Sequence, residues 1–248
     1  MNSIVITGAS AGIGAAIAKR FAKEGYHLFL LARRYEKLEA LKKQLSCPVD
    51  IFALDVTDRK SVLDVFSHIL KKSSIDILVN NAGLALGLDP AYKANLDDWE
   101  TMVDTNIKGL LYCTHAALPS MVSKNKGHII NVGSIAGKYP YPGGNVYGGT
   151  KAFVQQFSLN LRTDLLGTEV RVTCIEPGLV GETELSMIRF KGDEEKAKNV
   201  YERSDPLVPE NIAEVIFWCC HQPAHVNVNI LELMPVCQAS SALAVVRK

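Results

Sequence analysis

The chain alternates between two kinds of hydrophobic pattern. Short β-branched runs at 4–7, 27–32, 49–54, 77–80, 127–133, 170–176 and 227–233 read as strands apolar on both faces. Between them lie stretches of helical period, at roughly 12–24, 35–45, 58–72, 97–123, 147–166 and 209–221. Asp58 and Asp97 stand at the starts of two of these stretches and are expected to cap them. Strand and helix in strict alternation predict an α/β fold: one doubly wound parallel sheet of about seven strands with helices on both faces. With no linker composition and no repeat, residues 1–248 read as a single domain. Ligands of such sheets bind beyond the carboxyl ends of the strands.

Two segments break the rhythm. Residues 137–144 carry Pro140, Pro142 and three glycines, and residues 178–208 separate a strand from a late helix. Both leave the carboxyl end of a strand, so both are expected to border the ligand crevice, the second as a loop covering the substrate.

Composition narrows the function. The net charge of +1 over 248 residues supplies no field for nucleic acid. Six cysteines lie outside metal or redox spacings and read as free thiols, mostly buried, in a reducing compartment. His221 and His225 are interrupted by Pro223, so no metal site is expected there. No signal peptide and no membrane span is evident, and a cytoplasmic protein is the expectation.

Gly8-Ala9-Ser10-Ala11-Gly12-Ile13-Gly14 follows the first strand and opens the first helix. Glycines there permit a tight turn and close approach to a pyrophosphate, and the helix N-terminus offers free N–H groups to the anion. Alone the motif is weak; placed between strand and helix it points to a dinucleotide. The end of the second strand discriminates cofactors, because an acidic residue there would bond the ribose 2′-hydroxyl of NAD. This chain has Arg33 and Arg34 instead, which suit the 2′-phosphate of NADP, although two solvated surface arginines give the same pattern.

Tyr147 and Lys151 are four apart and share a helix face. An ammonium about 4 Å from a phenol supplies on the order of 4 kcal/mol at an effective dielectric near 20, enough to lower its pKa by two to three units. Such a pair equally fits an ordinary core or surface contact. Ser134 ends a strand, where its hydroxyl can bond a substrate oxygen or cap the following turn. Asn106 sits inside a helical pattern, either with a role or as a satisfied polar residue between helices.

Together TGASAGIG at 7–14, Asp55-Val56, NNAG at 80–83, Asn106, Ser134, Tyr147-x-x-x-Lys151 and Pro177-Gly178 strongly resemble the short-chain dehydrogenase/reductase family over residues 4–235. The resemblance implies a Rossmann-type fold and a dehydrogenase acting on CH–OH groups. Asp55 would hold the adenine amino group, with Val56 lining its pocket; Asn81, Ala82 and Gly83 would lie along the cofactor ribose. Pro177, Gly178, Leu179, Val180, Gly181 and Thr183 would cover the nicotinamide. Tyr147 would be the general acid or base, Lys151 would lower its pKa and hold the nicotinamide ribose, Ser134 would orient the carbonyl, and Asn106 would hold a water of a proton relay.

The stretches at 80–94, 97–110, 139–165 and 176–193 are similar to a bacterial group within that family that uses NADP(H) on short 3-hydroxy acids such as serine and L-allo-threonine, or on the corresponding semialdehydes. That likeness implies a homotetramer, for which helix-borne Leu110, Leu111, Phe153, Phe157 and Leu161 offer apolar surface. The substrate carboxylate needs a cation. Arg189 in the covering loop supplies a planar fork and Phe190 beside it would exclude water, though Arg189 equally fits a solvent-facing or intersubunit position. A ketoacyl or general carbonyl reductase fits the same fold, and a non-catalytic dinucleotide sensor would not need Asn106, Ser134, Tyr147 and Lys151 together.

Overall fold

A computed structural model describes residues 2–240. Its centre is a seven-stranded sheet, parallel throughout, of strands β1 (Ser3–Thr7), β2 (His27–Ala32), β3 (Val49–Ala53), β4 (Ile77–Asn80), β5 (Gly127–Val132), β6 (Val170–Pro177) and β7 (Ile230–Leu233), in the spatial order β3-β2-β1-β4-β5-β6-β7. Winding runs outward from β1 to β3, then returns to the other side of β1. The reversal between β1 and β4 opens a crevice at their carboxyl ends, where Thr7 and Asn80 lie.

Side chains alternate across each strand and so feed two separate cores. Ile4, Ile6, Leu28, Leu30, Val79, Ile130 and Ile175 pack on one face with α1 (Gly12–Ala22) and α9 (Pro209–Cys220). Val5, Phe29, Leu31, Leu78, Ile129 and Val172 pack on the other with α3 (Arg59–Lys72), α5 (Leu110–Ser123) and α6 (Asn145–Asp164). α2 (Tyr35–Lys42) lies after β2, burying Leu38 and Leu41. Burial on both faces is why the strands lack a polar alternation.

The expected fold class stands, with differences at element ends. Asp58 caps α3 as expected, accepting from the N–H groups of Lys60 and Ser61 at 3.0 and 3.2 Å. Asp97 does not cap. Asn95 does, accepting from Asp97 N at 2.7 Å, while Asp97 and Asp98 place their charges in the first turn of α4 (Leu96–Val103). The long helix expected over 97–123 is α4, a π-helical turn at Asp104–Gly109, and α5. Its widened turn lies against Val56, because a Cβ on Gly109 would meet Val56 Cγ2 at 2.6 Å. The loop at 178–208 holds two short helices, α7 (Leu185–Arg189) and α8 (Glu194–Asn199), too brief for a periodicity to show. Cys113, Cys174 and Cys219 are buried as expected, whereas Cys237 is exposed. Among the described residues no helix is long and apolar enough to cross a membrane.

Candidate active site

A cleft of about 650 Å³ runs along the carboxyl edge of the sheet. The glycine loop forms one wall, with Gly8, Ser10, Ala11, Gly12 and Ile13 lining it. Gly8 adopts φ +66°, and a Cβ there would stand 2.9 Å from Ala82 Cα, so the loop has no room for a side chain. Thr7 Oγ1 accepts from the N–H groups of Asn81 and Ala82, both at 3.0 Å, and Asn81 Nδ2 donates to Thr7 O at 2.9 Å. β1 and β4 are thereby tied at the switch point. Ala11, the N-cap of α1, offers no side-chain acceptor to the first turn of that helix. The unpaired N–H groups of an α-helix at such a point suit an anion.

Most residues expected at the cofactor line this cleft: Arg33, Arg34, Asp55, Val56, Asn81, Ala82, Gly83, Tyr147, Lys151, Pro177, Gly178, Leu179, Val180 and Thr183. Three do not. Ala9 is fully buried and donates its N–H to Leu31 O at 3.2 Å. Gly14 is where α1 presses on the loop, since a Cβ would meet Gly8 O at 2.4 Å. Gly181 packs on Pro206 and bonds Leu207 O at 2.8 Å, closing the base of the covering loop. All three shape the cleft from behind its surface. Asp55 lines the cleft, one carboxylate oxygen accepting from Thr57 N and Oγ1 at 2.9 and 2.8 Å. Arg33 is exposed, whereas Arg34 reaches Ser10 Oγ at 3.0 Å and pairs with Glu184.

At the other end stand Ser134, Tyr147 and Lys151. Ser134 accepts from Ala136 N at 3.1 Å, so it caps a short turn and also faces the cleft. Tyr147 and Lys151 share one face of α6, and Lys151 Nζ lies 5.8 Å from the Tyr147 ring centre. That ammonium donates to Val132 O at 2.9 Å, and burial pulls it down to about 8. Burial pushes the Tyr147 phenol up; its hydrogen bond to Ser134 and the charge of Arg189 pull it back. The lysine was expected to depress the tyrosine by itself. Arg189 is a second cation beside the phenol, while Lys151 on the same helix face also donates to a backbone carbonyl.

Asn106 does not line the cleft. It is buried in the π-helical turn, with Oδ1 accepting from Leu84 N at 2.9 Å and Nδ2 donating to Leu84 O at 2.8 Å and Thr150 Oγ1 at 3.1 Å. Both amide hydrogens are committed, so the side chain fastens the strand-end loop to α6.

Arg189 comes from α7 and meets the phenols of Tyr141 and Tyr147. Its guanidinium carbon lies 5.2 Å from the Tyr147 ring centre and 5.5 Å from that of Tyr141, its Nη2 donates to the Tyr141 hydroxyl, and its Nε is buried without a partner. Phe190, expected to shield the site, does not reach the cleft; Leu185 and Ile188 of the same helix do. Sequence reasoning also missed Tyr139, Tyr141, Glu184 and Gln238. The proline-rich break at 137–144 signalled the tyrosines. Gln238, whose Oε1 accepts from Leu179 N at 2.7 Å, belongs to a tail that carries no motif.

Comparison with known proteins agrees with this geometry. The short chain dehydrogenase family model matches residues 2–194. A relative in Salmonella typhi, named NADP-dependent 3-hydroxy acid dehydrogenase YdfG, is 56% identical over 245 residues, covering 98% of this chain and 99% of its own. The serine 3-dehydrogenase of Agrobacterium fabrum (strain C58) is 49% identical over 248 residues, covering 100% and 99%. Among solved structures, the closed form of a serine dehydrogenase complexed with NADP+ superimposes with a TM-score of 0.97 at 54% identity, covering 99% of this chain and 100% of the other. Serine dehydrogenase from Escherichia coli gives 0.83 at 50% identity, covering 96% and 99%.

Proposed function

Since the chain belongs to the short-chain dehydrogenases, we propose that it interconverts short 3-hydroxy acids with their keto or semialdehyde forms, using NADP(H). The observation that carries the reading is the meeting of Ser134, Tyr147 and the Arg189 guanidinium in one cleft with the glycine loop. NADP(H) fits the cradle left by Gly8, the uncapped start of α1 and the two arginines, and when bound it supplies or takes up the hydride.

The chain's own groups do the rest. Ser134 Oγ orients the substrate oxygen, and Tyr147 Oη gives that oxygen a proton in reduction and removes it in oxidation. Lys151 keeps its ammonium on the same helix face as Tyr147, with burial pulling its pKa down to about 8. Arg189 receives the substrate carboxylate, its Nε having no partner in the protein. Leu185 and Ile188 exclude water as the loop covers the site.

We also propose a homotetramer. Leu110 and Leu161 are buried in the subunit core and leave this argument. Leu111, Phe153 and Phe157 stay half-buried, the two phenylalanines stacked at 5.8 Å, and Trp218 on α9 is 53% exposed. The test of function is a steady-state assay in both directions over serine, L-allo-threonine, 3-hydroxypropionate, malonic semialdehyde and neutral alcohols and ketones. Highest efficiency on the acids with NADP(H) is expected. Efficiency that ignores the carboxylate would refute the substrate assignment.

A further inference from the structure

Glu184 opens the short helix α7 in the covering loop, and its carboxylate is held by the opposite wall. Arg34 grips it bidentately, with Nη1–Oε1 at 3.0 Å and Nη2–Oε2 at 2.6 Å, and Lys37 Nζ reaches Oε1 at 2.7 Å. The same Arg34 Nη2 donates to Ser10 Oγ of the glycine loop at 3.0 Å. One carboxylate thus joins three elements: the covering loop, the end of β2, and the turn expected to hold the pyrophosphate. Those two cations hold Glu184 ionised, down to about 2.

The cations gathered here exceed that one carboxylate. Arg33, Arg34 and Lys37 bring three positive charges against the two of Glu184 and Glu36, whose field also reaches Arg34. A ribose 2′-phosphate carries about −1.5 to −2 at neutral pH and can take up that surplus. NAD, lacking that group, leaves the surplus unmatched. Glu184 and the phosphate therefore draw on the same guanidinium. The Arg34 and Glu184 side chains are 40% and 38% exposed, so the pair is weak enough to be redistributed. The opposite end of α7 carries Arg189, whose carbonyl accepts from Gly87 N at 3.0 Å, and Lys191 just beyond pairs with Asp98 at 2.9 Å.

We propose that Glu184 is a positioning and specificity residue: it ties the covering loop to the arginine that reads the 2′-phosphate, trading some affinity for that phosphate for a loop held shut over the substrate. The inference rests on the NADP reading. Its signature is a split in sign, which a merely structural residue would not show. Glu184→Gln removes the charge but no helix cap, because the side chain makes none.

The experiment measures Kd for NADPH and NADH by nicotinamide fluorescence, KM for the preferred 3-hydroxy acid, and trypsin cleavage within 185–203, in wild type, Glu184→Gln and Glu184→Asp. For Glu184→Gln the NADH/NADPH ratio of Kd should rise about two- to five-fold, the scale of one half-exposed ion pair. The KM should rise by a similar factor, and the loop should be cut faster. Glu184→Asp, which keeps the charge, should move both constants back toward wild type. A wild type that binds the two cofactors equally would overturn the NADP reading and this proposal with it. Retained discrimination with an unchanged or lower ratio in Glu184→Gln would overturn the role of Glu184 alone, as would an unchanged KM.

Discussion

Arg189 separates a carboxylate-reading enzyme from a general carbonyl reductase, and its replacement has two calculable effects. The first is on binding. The guanidinium uses Nη2 on Tyr141 and leaves Nε buried without a partner, so a bidentate carboxylate can be received without breaking another strong bond. Truncating one side of a buried, hydrogen-bonded charge pair costs about 2–5 kcal/mol, or about 30-fold to several thousand-fold in kcat/KM for a hydroxy acid. The second effect is on the proton donor. A unit charge 5.2 Å from the Tyr147 ring centre contributes about 3 kcal/mol toward the phenolate at an effective dielectric near 20. Water entering the emptied space would screen part of it. Arg189→Ala should therefore lose most of its efficiency on acids through KM. On neutral alcohols KM should hardly change, and the loss should appear as an alkaline displacement of the limb of the pH profile set by Tyr147, vanishing as pH rises past it. Arg189→Lys should restore that limb, since it keeps the charge, but not the preference for acids, since it lacks the fork. Equal losses on charged and neutral substrates would show that only the loop had been disturbed, and no loss would place the carboxylate elsewhere.

Other outcomes follow from the same geometry. Tyr147→Phe should abolish turnover and leave the fold and NADPH affinity in place, measured by assay and fluorescence titration; near-normal turnover would assign the proton to another group. Arg33→Asp should weaken NADPH binding at least about ten-fold, through loss of a charge-assisted bond and gain of a repulsion, while leaving NADH binding nearly unchanged. Lys151 is buried with its pKa lowered from 10.5 to about 8, so between those values the unfolded chain binds the extra proton and stability rises with pH. Lys151→Met should accordingly unfold at a higher temperature than wild type at pH 7, the gain shrinking as pH rises through 8 to 10.5, although turnover is lost; a lower melting temperature at pH 7 would contradict it. Light scattering at micromolar concentration should give four subunits, and a monomer would end the tetramer proposal.

Legibility tracked how local the determining physics is. Strands buried on both faces declare themselves by continuous apolar runs, so β2 and β4 were read to the residue. The glycine loop, Ser134, Tyr147 and Lys151 were legible because their spacing is imposed by a turn or a helical period. Asn106 was found through its oddity in a helix, but its use depends on Leu84 and Thr150, brought there only by folding. Asp97 was misread because the helix starts two residues earlier, with Asn95 taking the N–H groups of Asp97 and Asp98. The covering loop was seen as a break, yet its α7 is five residues long and carries no repeat to read. Tyr141 and Glu184 were invisible for a related reason: each matters through a partner about 48 or 150 residues away.

The five residues of α7 hold more of the site's logic than any motif. Glu184 at its start meets the cations of the cofactor end, and Arg189 at its finish meets the phenol of the chemical end. At 1.5 Å per residue the two stand only about 7.5 Å apart along the axis, and a helix that short moves as a unit. Anything that draws Glu184 toward Arg34 also sets Arg189 over Tyr147, and a carboxylate that fixes Arg189 fixes Glu184 in return. Linkage makes such coupling reciprocal. NADH, which leaves Arg34 to Glu184, should then lower the Kd of a hydroxy-acid product by a larger factor than NADPH does, and the acid should return the same factor to each cofactor. Equal factors for the two cofactors would sever the coupling from the 2′-phosphate and leave α7 as two independent contacts.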